Sequence, residues 1–141
     1  MAKAKKKTAS KAGRASVPTA ALYNVDASTP RGKAIRETIA AQGLRVLTIA
    51  PERLGDPVGA IAGMTGFRPT RTPYEGEAPT CEFMLLCNAG NAQLNKLLAA
   101  MREADCSVGC KAQVTQFNRL WPMSTLIAEV AKEHEAMNQP R

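Results

Sequence analysis

Apolar residues in this chain fall into short continuous runs and helical stripes, and the two alternate. Residues 21–25, ALYNV, form a run of strand length. Thr29 and Pro30 supply an N-cap and a first-turn proline. Ile35, Thr38, Ile39 and Gln42 share one face, and Gly43 follows as a terminating glycine, so the spacing predicts a helix over 30–42. RVLTI at 45–49 is a second strand, which completes a β-α-β unit. Asp56 and Pro57 then open a short helix that runs to Ala62 and stops at Gly63. Gly59 lets that helix pack closely against the sheet. Pro69, Pro73, Gly76 and Pro79 predict a long surface loop over 66–80, of a length that is usually functional or mobile.

The alternation then starts again. CEFMLLC gives a strand over 82–87, and 88–91 make a turn with Asn91 as the N-cap. Leu94, Leu97, Leu98, Met101 and Ala104 trace the clearest amphipathic helix of the chain, over 92–104. A more polar strand follows over 110–115, inside the stretch KAQVTQFNRLW. The last helix opens at Pro122, with Met123, Leu126, Ile127, Val130, His134 and Met137 on one face.

The two halves correspond at offsets of about 62 to 66 residues. They read as two pseudo-repeated β-α-β-α units, 20–63 and 82–138, joined by a loop over 64–81 in a single α/β domain, 19–138. The first strand of each unit is the more apolar and belongs at the centre of a four-stranded sheet. The second strands carry charge and belong at its edges. Two orders satisfy this, a parallel 2-1-3-4 and a ferredoxin-like 4-1-3-2.

Charge changes the picture only at one end. The formal net charge is +7, but Lys3, Lys5, Lys6, Lys7, Lys11 and Arg14 all lie in residues 1–18, which hold no acid. The remaining 13 Lys and Arg face 12 acids, so the body is nearly neutral. The tail is expected to be disordered, because it has too little apolar surface to offset its ordering entropy. Lys5, Lys6, Lys7, Lys11 and Arg14 are its candidate nucleic-acid contacts. Neither a secretory signal nor a membrane span is legible, so a cytoplasmic protein is the default. Cys81, Cys87, Cys106 and Cys110 form no C-x-x-C pair and are expected to be reduced thiols.

The second half resembles the bacterial domain-of-unknown-function family 3783. The residues that carry the resemblance are Lys111-Ala112 opening a strand, Thr115, Asn118 with Trp121 three residues on, and Glu133-His134 closing a helix. ALYNV and PVGAIAGMTGF extend it to roughly residues 20–138. Cys87-Asn88-Ala89 departs from the glycine and aromatic of the family pattern. The resemblance implies the fold and assigns no activity.

Asn24 and Asn88 end the first strand of each unit, and open α/β sheets bind ligands at strand C-termini. Asn24, Asn88, Thr115 and Asn118 would then line one rim, with Lys111 nearby, for a small polar or anionic ligand. The competing reading makes them turn and cap residues. Gly55, Gly59, Gly63 and Gly66 lack the Gly-Lys-Ser/Thr of a phosphate loop. Cys87, Cys106, Cys110 and His134 match no zinc spacing, so neither metal nor cofactor is expected. Trp121 is expected to be buried, stapling the last helix to the sheet. The reading that results is a non-enzymatic binding or regulatory module. The alternative is a nucleic-acid-associated protein that uses its tail, which would gather Arg31, Lys33, Arg36 and Arg119 on one face of the body.

Overall fold

The computed structural model describes residues 17–138. Four strands, β1 (Thr19–Tyr23), β2 (Arg45–Ile49), β3 (Phe83–Cys87) and β4 (Cys110–Gln113), form one sheet in the order β2-β1-β3-β4. Helices α1 (Pro30–Ala41), α2 (Val58–Ile61), α3 (Asn91–Glu103) and α4 (Met123–Asn138) alternate with them. β1 and β3 are buried at every position, as their continuous apolar runs require.

The order is the 2-1-3-4 alternative, but the sheet is mixed. β1 and β2 are parallel, β3 and β4 are parallel, and the central β1–β3 pair is antiparallel. Ala21 faces Leu85, its equivalent 64 residues on, so the pseudo-two-fold axis passes between them. An axis normal to the sheet keeps equivalent helices on the same face. Ala20, Leu22, Met84 and Leu86 pack under α1 and α3 through Ile35, Ile39, Leu94, Leu97 and Met101. Ala21, Tyr23, Phe83 and Leu85 pack on the other face under α2 and α4, with Val58, Ile61, Met123 and Ile127. Strand alternation thus divides the core into two layers.

On the second face the two units clasp each other. Val58 N–H donates to Trp121 O and Met123 N–H donates to Asp56 O, at 2.8 and 2.9 Å. Gly59 N–H donates to Arg119 O and Ser124 N–H to Leu54 O, both at 2.8 Å. Each bond maps onto its partner by adding 65 residues.

Several local expectations change. Thr29 does cap α1, accepting from Gly32 N–H at 2.9 Å. Asp56 does not cap α2, because Pro57 holds that place and the Asp56 carboxylate is drawn to Thr70 and Arg53 instead. Gly90, not Asn91, is the N-cap of α3. Gly59 gives close approach, but to the Phe67 ring of the loop rather than to the sheet. Gly63 sits at φ +80°, which ends α2 as a glycine readily does. Along α4 the apolar stripe leaves the core after Val130, and Met137 is exposed.

The 64–82 segment is laid across the first unit. Phe67 rests on Gly59, and Thr70 N–H and Oγ1 donate to the Asp56 carboxylate at 2.9 and 3.0 Å. Tyr74 N–H donates to Glu52 O at 2.9 Å. The segment then reaches the end of β1, where Tyr23 Oη donates to Pro79 O and Asn24 Nδ2 to Thr80 O.

Candidate functional site

The antiparallel centre of the sheet separates residues that the repeat makes equivalent. Asn24 and Asn88 both leave their strands at φ 62°, a left-handed conformation that asparagine tolerates. Because β1 and β3 run in opposite directions, the two lie at opposite ends of the sheet. The single rim predicted from strand C-termini therefore does not form. Asn24 meets the chain's own loop at one end. At the other end Asn88 is joined by Thr115, since β4 runs parallel to β3 and Val114 N–H donates to Leu86 O.

That second end holds a cavity of about 350 Å³, within the size range of small-ligand sites. Met64, Thr65, Cys87, Asn88, Thr115 and Arg119 are among the residues that line it. Arg45, first residue of β2, stands beside it, with Nη2 3.7 Å from where a Cβ on Gly63 would be. Its Nε is buried without a hydrogen-bond partner among the described residues. Burial pushes the Cys87 thiol up, opposed by a hydrogen bond from Thr19 and by the Arg45 charge. The net rise keeps Cys87 a thiol near neutrality, which suits a wall better than a nucleophile.

Asn118 does not face this cavity. It is 8% exposed, its Oδ1 accepts from Thr115 N–H at 2.9 Å, and its Nδ2 donates to Gln113 O at 3.0 Å. Thr115 Oγ1 in turn accepts from the N–H groups of Phe117 and Asn118, each at 3.1 Å. This reciprocal pair fixes the turn after β4 and leaves the Thr115 hydroxyl proton to donate. Lys111 lies elsewhere. Its Nζ donates to Val108 O at 3.0 Å, and it lines surface depressions near His134 and Leu98.

Trp121 is not a buried staple. It is 38% exposed and belongs to neither core layer, because the clasp to α2 runs through its backbone carbonyl and leaves the ring at the surface. Phe117 and Leu120 beside it are 75% and 70% exposed. The candidate zinc set does not converge either: Cys106 packs in the α1/α3 layer, and Cys87 and Cys110 pack in the other, where Cys110 meets Cys81. Among the described residues no group of three His, Cys, Asp or Glu is placed to hold a metal.

Arg31, Lys33 and Arg36 share α1, and Arg119 does not join them. Arg31 pairs with Glu82 at 2.6 Å, and Arg36 donates to Val25 O and Thr48. Both lie on α1, whereas Arg119 is at the cavity. The tail candidates Lys5, Lys6, Lys7, Lys11 and Arg14, and the expected disorder there, lie outside the described residues. No helix among the described residues is long and apolar enough to cross a membrane.

Sequence reasoning named Asn88 and Thr115 but missed Arg45 as a charge beside the site. An arginine opening an otherwise apolar edge strand was the available signal. Residues 82–137 match the family model for a domain of unknown function, DUF3783, the family whose pattern the second half carries. The match covers one β-α-β-α unit, from the residue before β3 almost to the end of α4. No curated protein and no solved structure matches the chain.

Proposed function

We propose that the protein is a non-enzymatic binding module that takes a polar, anionic group in the cavity at the Asn88 end of the sheet. The observation that carries this reading is the convergence of Asn88, Thr115 and Arg119 on that cavity, with a half-buried Arg45 beside it. A carboxylate or phosphate group there meets an amide, a hydroxyl and the Arg119 guanidinium, with the Arg45 charge beside them. Charge-assisted hydrogen bonds of this kind are about twice as strong as neutral ones. Neither Arg45 nor Arg119 forms an ion pair among the described residues.

Inorganic phosphate is the simplest probe. A ligand that binds only the folded state raises the melting temperature with its concentration. Phosphate should stabilise the full chain more than chloride does at equal ionic strength. Arg119→Ala should remove that difference without lowering the melt in chloride, because the side chain is exposed. Equal stabilisation of the chain and the Arg119→Ala variant would contradict the reading.

A further inference from the structure

The fold brings one pair of its four cysteines together. Cys106 packs in the α1/α3 layer, against Thr38 Oγ1. Cys87 ends β3, where its thiol lies against Ala62 O. β4 runs parallel to β3 with Cys110 opposite Phe83, so Cys110 stands where both strands begin. Cys81 is two residues ahead of Phe83, and period-two alternation puts all three on the face under α2 and α4. There the Cys81 and Cys110 thiols are within hydrogen-bond reach of each other. Cys87, at the far end of β3, is about 20 Å from Cys81 by strand rise. Cys110 is 5% exposed and Cys81 is half-buried, so the pair has an inner and an outer sulfur. Cys81 also lies in a bend ahead of β3, outside the strand ladder, so its sulfur can close on Cys110 without breaking a rung of the sheet.

We infer that Cys81 and Cys110 are a redox-active dithiol that closes reversibly to a disulfide, tying the end of the 64–82 segment to the start of β4. The pair lies at the opposite end of β3 from the Asn88 cavity, so the inference stands apart from the anion reading. The oxidant is a small-molecule disulfide, and the step is thiol–disulfide exchange. The Cys81 thiolate, its proton lost to water, attacks one sulfur of the oxidant and expels the other as a thiolate. The mixed disulfide so formed sits on the outer sulfur, beside the inner one. Cys110 then loses its proton, attacks Cys81 Sγ and expels the second small thiolate. Two protein thiols are oxidised, one small disulfide is reduced, and the two released thiolates take up the two protons. Burial pushes the Cys81 thiol up, and the neighbouring Cys110 adds to the rise. Little thiolate is present near neutrality, so the pair is a slow switch and not a catalytic dithiol. The tie falls where Pro79 O and Thr80 O already accept from Tyr23 and Asn24, so closure adds a covalent hold to an end that hydrogen bonds anchor. Closing the ring 81–110 also removes freedom from the unfolded chain, which makes the oxidised protein the more stable form.

The probe is oxidised glutathione, applied to the folded full chain at mildly alkaline pH. Digestion without reductant, followed by mass spectrometry, should recover one cross-link, between Cys81 and Cys110, and dithiothreitol should remove it. The oxidised chain should melt roughly 5–15 °C above the same chain in dithiothreitol. Cys81→Ser should abolish both the link and that shift, and Cys110 should then stay unreacted because it is buried. Cys110→Ser should leave glutathione stranded on Cys81, since no inner thiol remains to expel it. Glutathione retained on Cys81 of the parent chain would overturn the inference. So would a link between chains, a link to Cys87 or Cys106, or thiols that stay unreacted. A closed pair whose melt is unchanged or lowered would overturn the tether.

Discussion

Asn118→Ala separates a turn-building residue from a ligand contact. The substitution deletes two hydrogen bonds, one from Thr115 N–H and one to Gln113 O. It leaves both backbone groups without their partner in a turn whose Asn118 core excludes water. Thr115 and Gln113 are themselves exposed, so water reaches part of what is lost. Net values of about 0.5–1.5 kcal/mol for each bond give a cost of about 1–3 kcal/mol. For a domain of this size each kcal/mol shifts the melt by about 3–6 °C, so a fall of roughly 3–18 °C is expected. Urea unfolding should show a lower midpoint with an unchanged slope. At temperatures where the variant is folded, its phosphate response should match that of the parent chain. A variant that melts with the parent and fails to respond to phosphate would refute the assignment and make Asn118 a contact.

Other substitutions test the remaining structure. Trp121→Ala should cost clearly less in urea unfolding than Met123→Ala, which opens a fully buried site worth about 2–5 kcal/mol; the reverse ranking would restore the tryptophan to the core. Gly32→Ala should destabilise by more than about 2 kcal/mol, because its Cβ would stand 1.7 Å from Asp26 O, and a neutral result would contradict the tight start of α1. Burial raises the Asp56 carboxyl, but Thr70 and Arg53 outweigh it and hold the group below the usual range. A lowered folded pKa contributes stability that is present above the unfolded pKa and is lost as pH falls through the folded value. Asp56→Asn should therefore lose less stability than the parent between neutral pH and the acid range, and parallel pH curves would refute this.

The elements were legible because their signals are local. β1 and β3 are continuous apolar runs, α3 carries a full stripe, and Thr29-Pro30 and Gly63 act through their own backbones. The central place of β1 and β3 followed from which strands are apolar and which are charged, whereas the choice of β2-β1-β3-β4 over the ferredoxin-like order did not. The antiparallel centre was not legible, because burial of Ala21 and Leu85 is the same in either direction. That one feature moved Asn24 away from Asn88 and dissolved the expected rim. Asn118 carried the right residue type for two roles, and only its bonds to Thr115 and Gln113 decide between them. Trp121 misled because a lone tryptophan beside a helix start suggests burial, whereas the clasp with α2 uses its carbonyl. Arg45 went unnoticed because its place at the cavity depends on strand pairing through Thr19 to Cys87.

The central claim is that the cavity at the Asn88 end of the sheet takes an anion and the Asn24 end does not. The side-chain amide signals of Asn24 and Asn88 in a ¹⁵N-labelled full chain read both ends at once. Titrated with inorganic phosphate, the Asn88 amide and the backbone signals of Thr115 and Arg119 should shift saturably, and the Asn24 amide, held by Thr80 O, should stay in place. Equal shifts at Asn24 and Asn88, or movement at neither, would contradict the account.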